Sequence, residues 1–447
     1  MELSTRNRDK YEFLTQERVP KAIMLMALPS IISMLTTSIY NMADTFFVGQ
    51  INTQATAAVG VTFAVMSVIQ AVGFFFGQGS GTYISRQLGA KDTKSATRMA
   101  STAFIYAIIV GLLIMTLGLL SLTKLSLLLG STNTILPYTE KFLGCILIGA
   151  PFMTGSMVLN NQMRFQGNAG YAMYGMLSGG IVNVILVPLF IFGMDMGILG
   201  AGLGTLIGQV CGFVVLFIMS RKGGNLKINP RFFSFSRIYL KEIVRGGTPS
   251  LTRQALMAIS TSMLNTAVGV YGDAAIAGMS IVTRLTFVIH SVVIGIGQGF
   301  QPLCGFCYGA KLYERVKEGY YFSVKVSVAF LLCWTLFGLY FAEEMVHIFR
   351  DDMDVVEVGA MALRCQLITF PVVSVIQLSN MMMQTTGNSI PANILAASRN
   401  GIFFIPLIII LPYFWGLFGV EICQAVADVF TLALAIPLTY NVMRKMR

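Results

Sequence analysis

Charge is what this chain has least of. Only 11% of its 447 residues are Asp, Glu, Lys or Arg, where soluble domains carry roughly 25%. Hydrophobic residues make up 55%, mean hydropathy is +0.72, and no long polar insert leaves room for a large soluble domain. Histidine is scarcer still, with His290 and His347 far apart in sequence. The seven cysteines are scattered, and Cys304-x-x-Cys307 has no second pair, so no metal site is expected. No acid, base and nucleophile fall into a catalytic pattern, so neither an enzyme nor a cofactor is expected. There is no GxxxxGK[ST] loop to couple the chain to nucleotide hydrolysis, and no TVGYG-like segment to build a channel filter. The first twenty residues, MELSTRNRDKYEFLTQERVP, lack the apolar core and small-residue cleavage site of a removed signal peptide. The first span is expected to serve as an uncleaved signal.

What is present is a series of apolar runs. Twelve spans are predicted near 22–48, 56–85, 99–122, 138–161, 170–192, 199–220, 247–270, 275–305, 321–342, 358–384, 391–412 and 418–441. A bilayer-crossing helix needs about 20 residues and a barrel strand only about 9–11, so these lengths specify an all-α integral membrane protein.

The formal net charge of +11 could suggest nucleic acid, but its distribution argues against it. Arg221, Lys222, Lys227, Arg231, Arg237, Lys241 and Arg245 lie between spans six and seven. Arg86, Lys91, Lys94 and Arg98 follow span two, Lys311, Arg315 and Lys317 follow span eight, and Arg444, Lys445 and Arg447 end the chain. If the spans alternate, all of these lie on one side. The connection 343–357 on the other side carries Glu343, Glu344, Asp351, Asp352, Asp354 and Glu357 against Arg350. This positive-inside bias places both termini in the cytoplasm of a cell whose inner membrane holds the protein. The same bases are expected to contact anionic lipid headgroups.

The chain also repeats itself. At a shift of 220 residues, Pro29-Ser30 falls on Pro249-Ser250, Gly77-Gln78-Gly79 on Gly297-Gln298-Gly299, and Gly89-Ala90-Lys91 on Gly309-Ala310-Lys311. Pro151 meets Pro371, Asn160 meets Asn380, and Gly167-Asn168 meets Gly387-Asn388. A constant offset implies an N-terminal six-helix bundle (1–220), a cytoplasmic linker (221–246) and a C-terminal six-helix bundle (247–447). Six is even, so the halves are parallel repeats about an axis along the membrane normal. Two such bundles suit alternating access around a central cavity.

Asp44 interrupts Pro29–Gly49, a stretch with no other charge. A carboxylate at that depth costs about 2.5–3.5 kcal/mol on insertion scales, and such residues usually face a bundle interior and carry protons, ions or cationic ligands. On a helix, Thr37, Tyr40, Asn41 and Phe47 share its face. Tyr40 and Asn41 can hydrogen-bond a carboxyl group in either protonation state. Desolvation favours the neutral acid, so Asp44 is a group able to exchange a proton for a cation. Of the 27 methionines, Met34, Met157, Met176 and Met257 are candidates, with Thr37 and Phe47, to line a polyspecific cavity, since Met adapts to many shapes.

The segments YNMADTFFVG (40–49), GQGSGTYISRQLGAK (77–91), NVILVPLFIFG (183–193), GILGAGLGT (197–205) and NTAVGVYGDAAIAGMSIVTRL (265–285), with QGNA (166–169) and TTGN (385–388), occur in an order that resembles the MATE (multidrug and toxin extrusion) family over essentially the full length. The resemblance implies two bundles around a V-shaped cleft and export of organic cations in exchange for protons or sodium ions. It also implies a cation site on Asp44, with Asn183 from span five and Thr205 from span six. Many members carry an acid four residues after that Asn, where this chain has Val187. Sodium-coupled members of the NorM-like branch add acids in spans seven and ten, where this chain has none past Glu242 and only Glu357 before span ten. Proton coupling, as in the DinF-like branch, is therefore the expectation, with sodium coupling as the alternative. A monomer is expected. A flippase for lipid-linked saccharides is a further alternative, and it would require a basic central cavity.

The C-terminal half has Leu264 at the repeat position of Asp44. It embeds Arg253, Gln254, Arg284, Arg399 and Asp428, which are expensive unless they form a polar network. Arg399 and Asp428 reach similar depth from opposite sides, so a structural ion pair is expected, with a second proton or substrate site as the sharper alternative.

Overall fold

The computed structural model describes residues 10–349 and 352–446, without the side chain of Asn41. Arg350, Asp351 and Arg447, used above in the charge count, lie outside the described residues, as does the Asn41 side chain offered as a partner of Asp44. Among the described residues there is no strand.

Among the described residues, twelve membrane helices follow one another in sequence. The N-terminal six are α1 (Val19–Gly49), α2 (Thr53–Gly89), α3 (Thr93–Leu120), α4 (Leu136–Phe165), α5 (Ala169–Pro188, continued by a π-turn at Leu189–Gly193) and α6 (Gly197–Ser220). The C-terminal six begin with α7 (Arg237–Gly269), α8 (Asp273–Gly309), α9 (Tyr313–Tyr340) and α10 (Met353–Thr385). They end with α11, which starts as Ser389–Ala397 and passes through a π-turn at Ser398–Ile402, and with α12. The last two run together over Phe404–Arg444 but kink at Gly416, whose φ of 57° only glycine adopts without strain. Ten stretches are long and apolar enough to span by composition alone, and Ser389–Arg444 counts among them as one. The kink divides that stretch in two. α7 completes the twelve, its apolar character diluted by Arg253, Gln254 and several hydroxyl side chains. It also starts at Arg237, ten residues before the predicted span, because its first turns are amphipathic and cover the linker side of the molecule.

The repeat is visible in backbone detail. α2 and α8 both contain 37 residues, and α3 and α9 both contain 28. Lys91 and Lys311 share a φ of 61°, and Gly167 and Gly387 share 82°. Asn160 Nδ2 donates to the Ala172 carbonyl at 3.1 Å, and its repeat partner Asn380 donates to the Ala392 carbonyl at 2.7 Å.

The apolar cores show how the lobes meet. One core runs through both lobes on the face that carries the termini, joining Leu14, Ile23, Phe76 and Ile84 to Ile243, Phe300, Phe306, Met382 and Met443. On the opposite face there are two separate cores. One contains Val48, Val65, Phe142, Val187 and Ile198; the other contains Val268, Val282, Leu363, Phe404 and Ile408. The lobes are thus fused at the terminal face and independent at the other, which gives a cleft that opens away from the termini.

The Gly-Gln-Gly repeats explain that fusion. A Cβ on Gly79 would lie 2.4 Å from the Ile243 carbonyl oxygen of α7, and one on Gly299 would lie 2.5 Å from the Ala27 nitrogen of α1. Side chains there would wedge the lobes apart. A buried amide pair crosses the same seam: Gln301 of α8 donates to Gln78 of α2 at 3.3 Å, and Gln78 in turn donates to Asn161 within its own lobe at 3.0 Å. Arg86 of α2 locks it, donating to Glu242 Oε2 of α7 at 2.9 Å and to the Thr385 carbonyl of α10 at 2.8 Å.

Candidate functional site

Inside the N-terminal lobe, α6 carries Gly200, Gly204, Gly208 and Gly212 on one stripe, four residues apart. Such spacing lets helix backbones approach closely in a membrane. Added Cβ atoms would strike Phe190 at Gly200, Val187 at Gly204 and Asn183 at Gly208. The stripe therefore pulls α5 against α6 and brings Asn183 beside Thr205. Gly180 does the same for α1, since a Cβ there would touch Thr36 and Tyr40.

Asp44 enters this junction. Its Oδ2 accepts from Asn183 Nδ2 at 3.3 Å and from Thr205 Oγ1 at 3.5 Å, and Asn183 Nδ2 also reaches Thr205 Oγ1 at 3.4 Å. These are long contacts. The single Thr205 hydroxyl proton has a better acceptor in the Ala201 carbonyl at 2.9 Å. Asp44 Oδ1 and Asn183 Oδ1 are both buried with no hydrogen-bond partner. A buried acceptor left without a donor costs about 1–3 kcal/mol. The cluster thus holds two acceptor oxygens with unused hydrogen-bonding capacity.

The other residues named from sequence are dispersed. Tyr40 lies against Gly180 and within electrostatic reach of Asp44, without a hydrogen bond to it. Thr37 turns its hydroxyl to the Ser33 carbonyl of its own helix. Phe47 packs edge-on to Phe192 of the α5 π-turn, at 6.4 Å between ring centroids. Met157 sits against Gly73 of α2, Met34 receives Gln298 Nε2 of the other lobe at 3.8 Å, and Met176 is half-buried on α5. Met257 is exposed on α7.

In the C-terminal lobe the five polar residues separate. Arg399 Nε donates to Asp428 Oδ1 at 2.7 Å and its Nη2 donates to Oδ2 at 3.4 Å, with Gln424 Nε2 also on Oδ1 at 3.0 Å. Arg253 bonds Asn380 Oδ1 at 3.1 Å. Gln254 is half-buried, and Arg284 is exposed without an ion pair among the described residues. Sequence reasoning missed Gln424, which a four-residue spacing from Asp428 could have suggested. It also missed Arg164, buried and bonded to Asn161 Oδ1 at 2.6 Å, and Glu421, buried at 4% exposure. No metal-binding group of His, Cys, Asp and Glu occurs among the described residues.

Comparison with known proteins agrees with this architecture. The family model described as MatE matches residues 29–189 and again residues 249–410, with starts spaced as in the internal repeat. Multidrug export protein MepA from Staphylococcus haemolyticus (strain JCSC1435) is 28% identical over 436 residues, covering 97% of this chain and 96% of MepA. MepA from Staphylococcus aureus (strain MSSA476) is 28% identical over 434 residues, covering 96% and 95%. Among solved structures, a MATE protein in complex with MaL6 superposes with a TM-score of 0.91 at 25% identity, covering 98% of both chains. An outward-facing multidrug resistance MATE transporter of the MOP superfamily gives a TM-score of 0.91 at 25% identity, covering 97% of this chain and 98% of its own. With two family matches, one in each half and together spanning most of its length, the chain belongs to the MatE family of multidrug efflux transporters.

Proposed function

We propose that this protein exports cationic amphipathic drugs in exchange for protons, by alternating access between its two lobes. Asp44 carries the reading. It is an acid embedded in the N-terminal lobe, loosely held by Asn183 and Thr205, with an orphan oxygen. Ionised, it attracts a cation; protonated, it loses that attraction and gains a donor for a neighbouring oxygen. A proton and a cationic drug therefore compete for one charge. The relatives named as multidrug export proteins supply the substrate class. Residues 1–220 and 247–447 move as the two bodies, joined by 221–246. The base-rich face with both termini is cytoplasmic, against the anionic leaflet of a bacterial inner membrane, and the protein acts as a monomer.

Proton rather than sodium coupling rests on Val187. It is fully buried against Gly204, where a second carboxylate would otherwise complete a hard-cation site. Sodium remains the second reading, because the two orphan oxygens and Thr205 Oγ1 are all oxygen donors. The test is Asp44→Asn, which keeps size and hydrogen bonding but cannot ionise. Export of a cationic dye under a proton gradient should cease while the variant still elutes as a monodisperse protein. Export at the normal rate would remove Asp44 from the coupling role.

A further inference from the structure

The two lobes repeat each other in backbone, but one stretch of their surface differs. In the N-terminal lobe the linker lies over α3: the Asn229 and Ser234 backbone amides donate to Ser101 Oγ and Thr102 Oγ1, both at 3.2 Å. Phe104 of α3 stacks on Phe213 and Phe217 of α6 and fills the space between those helices. At the same repeat positions of the C-terminal lobe, 220 residues on, Ser101 and Thr102 are replaced by Tyr321 and Phe322. There α9, α10 and α12 surround a groove of about 470 Å³, lined only by side chains of those three helices. That volume falls within the roughly 300–1,000 Å³ of small-molecule sites.

The groove has a polar end and an apolar end. Lys317, near the start of α9, and Arg444, at the end of α12, stand at the terminal face. Val375 lies ten residues before the end of α10, and Ile436 lies eight residues before Arg444. Eight residues of helix rise about 12 Å, so the groove runs from the bases down into the membrane. No acid lines it. Lys317 pairs with Glu314 at 2.8 Å, but Glu314 is 86% exposed, so water screens that bridge and holds its contribution small. Arg444 is exposed and has no ion pair among the described residues. Tyr321 and Tyr440, both exposed, line the same groove, and tyrosines concentrate where a membrane meets water.

We propose that this groove binds an anionic phospholipid of the surrounding leaflet. Lys317 and Arg444 take the phosphate from two different helices. Tyr321 and Tyr440 flank the headgroup, and an acyl chain runs along Val375 and Ile436. Basic pockets between membrane helices on the cytoplasmic side take anionic headgroups in this way. A soluble phosphate would use the two bases and leave the apolar run empty, so the amphiphile is the better match. The site goes beyond the drug-export reading and needs only that the terminal face lies in a leaflet.

The test is binding of tritiated dioleoylphosphatidylglycerol to the purified full-length protein in detergent, with tritiated dioleoylphosphatidylcholine as the zwitterionic comparison. Saturable binding of the anionic lipid alone is expected. Lys317→Gln and Arg444→Gln should each weaken it about fivefold, the scale of one base at an anionic membrane surface, and the double variant should weaken it further. Lys222→Gln, which removes an exposed base of the linker, should leave it unchanged. Absence of saturable binding to the unmodified protein would overturn the proposal. So would unchanged affinity in the double variant, or a loss in Lys222→Gln equal to that in Arg444→Gln, which would mean general surface charge. Glycerophosphate that displaces the labelled lipid at similar concentration would overturn the lipid assignment in favour of a soluble phosphate. An unchanged Tm checks that each variant folds, and if Lys317→Gln does not, the exposed Arg444→Gln still decides.

Discussion

Arg86→Gln is the perturbation with the most direct structural consequence. Arg86 lies on α2 of the N-terminal lobe, and its hydrogen-bond partners lie on α7 and α10, Glu242 at 2.9 Å near the start of α7 and the Thr385 carbonyl at 2.8 Å at the end of α10. The pair is well shielded, at 15% and 19% side-chain exposure, so solvent screens it less than a surface bridge. A hydrogen bond to a charged group contributes about 1.5–3 kcal/mol. Glu242 keeps a second partner in Arg245 at 3.0 Å, which offsets part of the loss. A net cost of about 2–3 kcal/mol remains, and it falls only on the state in which the terminal face is closed. That shifts the balance between closed and open terminal faces roughly 30- to 150-fold. Spin labels at Lys94 and Glu314, exposed on opposite lobes near that face, would report it in a background without the native cysteines. The unmodified protein should give one short distance, and Arg86→Gln should add a longer population. Glu242→Gln should move the distribution the same way. An unchanged distribution in both variants would refute the idea that this ion pair holds the lobes together.

Four further outcomes follow from the same geometry. Gly79→Ala places a Cβ within 2.4 Å of a backbone carbonyl, so the same labels should show the terminal face spread, with about 1–3 kcal/mol of overpacking cost seen as a lowered Tm in detergent. Arg399→Gln or Asp428→Asn alone should destabilise by about 3–5 kcal/mol, and the double variant should recover much of it, because a lone buried charge is worse than none; a thermal-shift double-mutant cycle measures this. Val187→Asp should confer sodium-dependent thermal stabilisation that the parent lacks, provided the variant folds. A cysteine at Lys222, exposed in the basic linker, should resist an impermeant thiol reagent in intact cells, and ready labelling would reverse the proposed orientation.

Much of the fold was legible because membrane helices announce themselves one by one. Most apolar runs span by their own composition, α7 excepted, and a fixed shift of 220 residues aligned the halves before any contact was known. The junction of Asp44, Asn183 and Thr205 was reachable through family resemblance, but the physical cause of their meeting, the glycine stripe of α6, emerges only when α5 is seen packed on it. The partners of Arg253 and Arg86 were not legible. Arg253 meets Asn380 across 127 residues and Arg86 meets Thr385 across 299. Nothing in local spacing selects those pairs over others at the same depth. Arg164 and Glu421 were overlooked for a related reason. They lie near helix ends, where a sequence reading assigns charges to water, yet the packing of neighbouring helices buries them. The methionines illustrate the converse. Composition suggested a shared cavity wall, whereas Met157 packs against Gly73, Met34 receives Gln298 of the other lobe and Met257 is exposed.

The central claim is that a proton gradient acting through Asp44 drives export of cationic drugs. Inside-out vesicles containing the purified protein, given an external fluorescent organic cation under separately imposed proton and sodium gradients, test it most directly. The account predicts rapid dye accumulation when the vesicle interior is acidic, little response to a sodium gradient at matched pH, and no gradient-driven accumulation in Asp44→Asn vesicles. Strong, saturable dependence on sodium in the unmodified protein, with no response to the proton gradient, would contradict it.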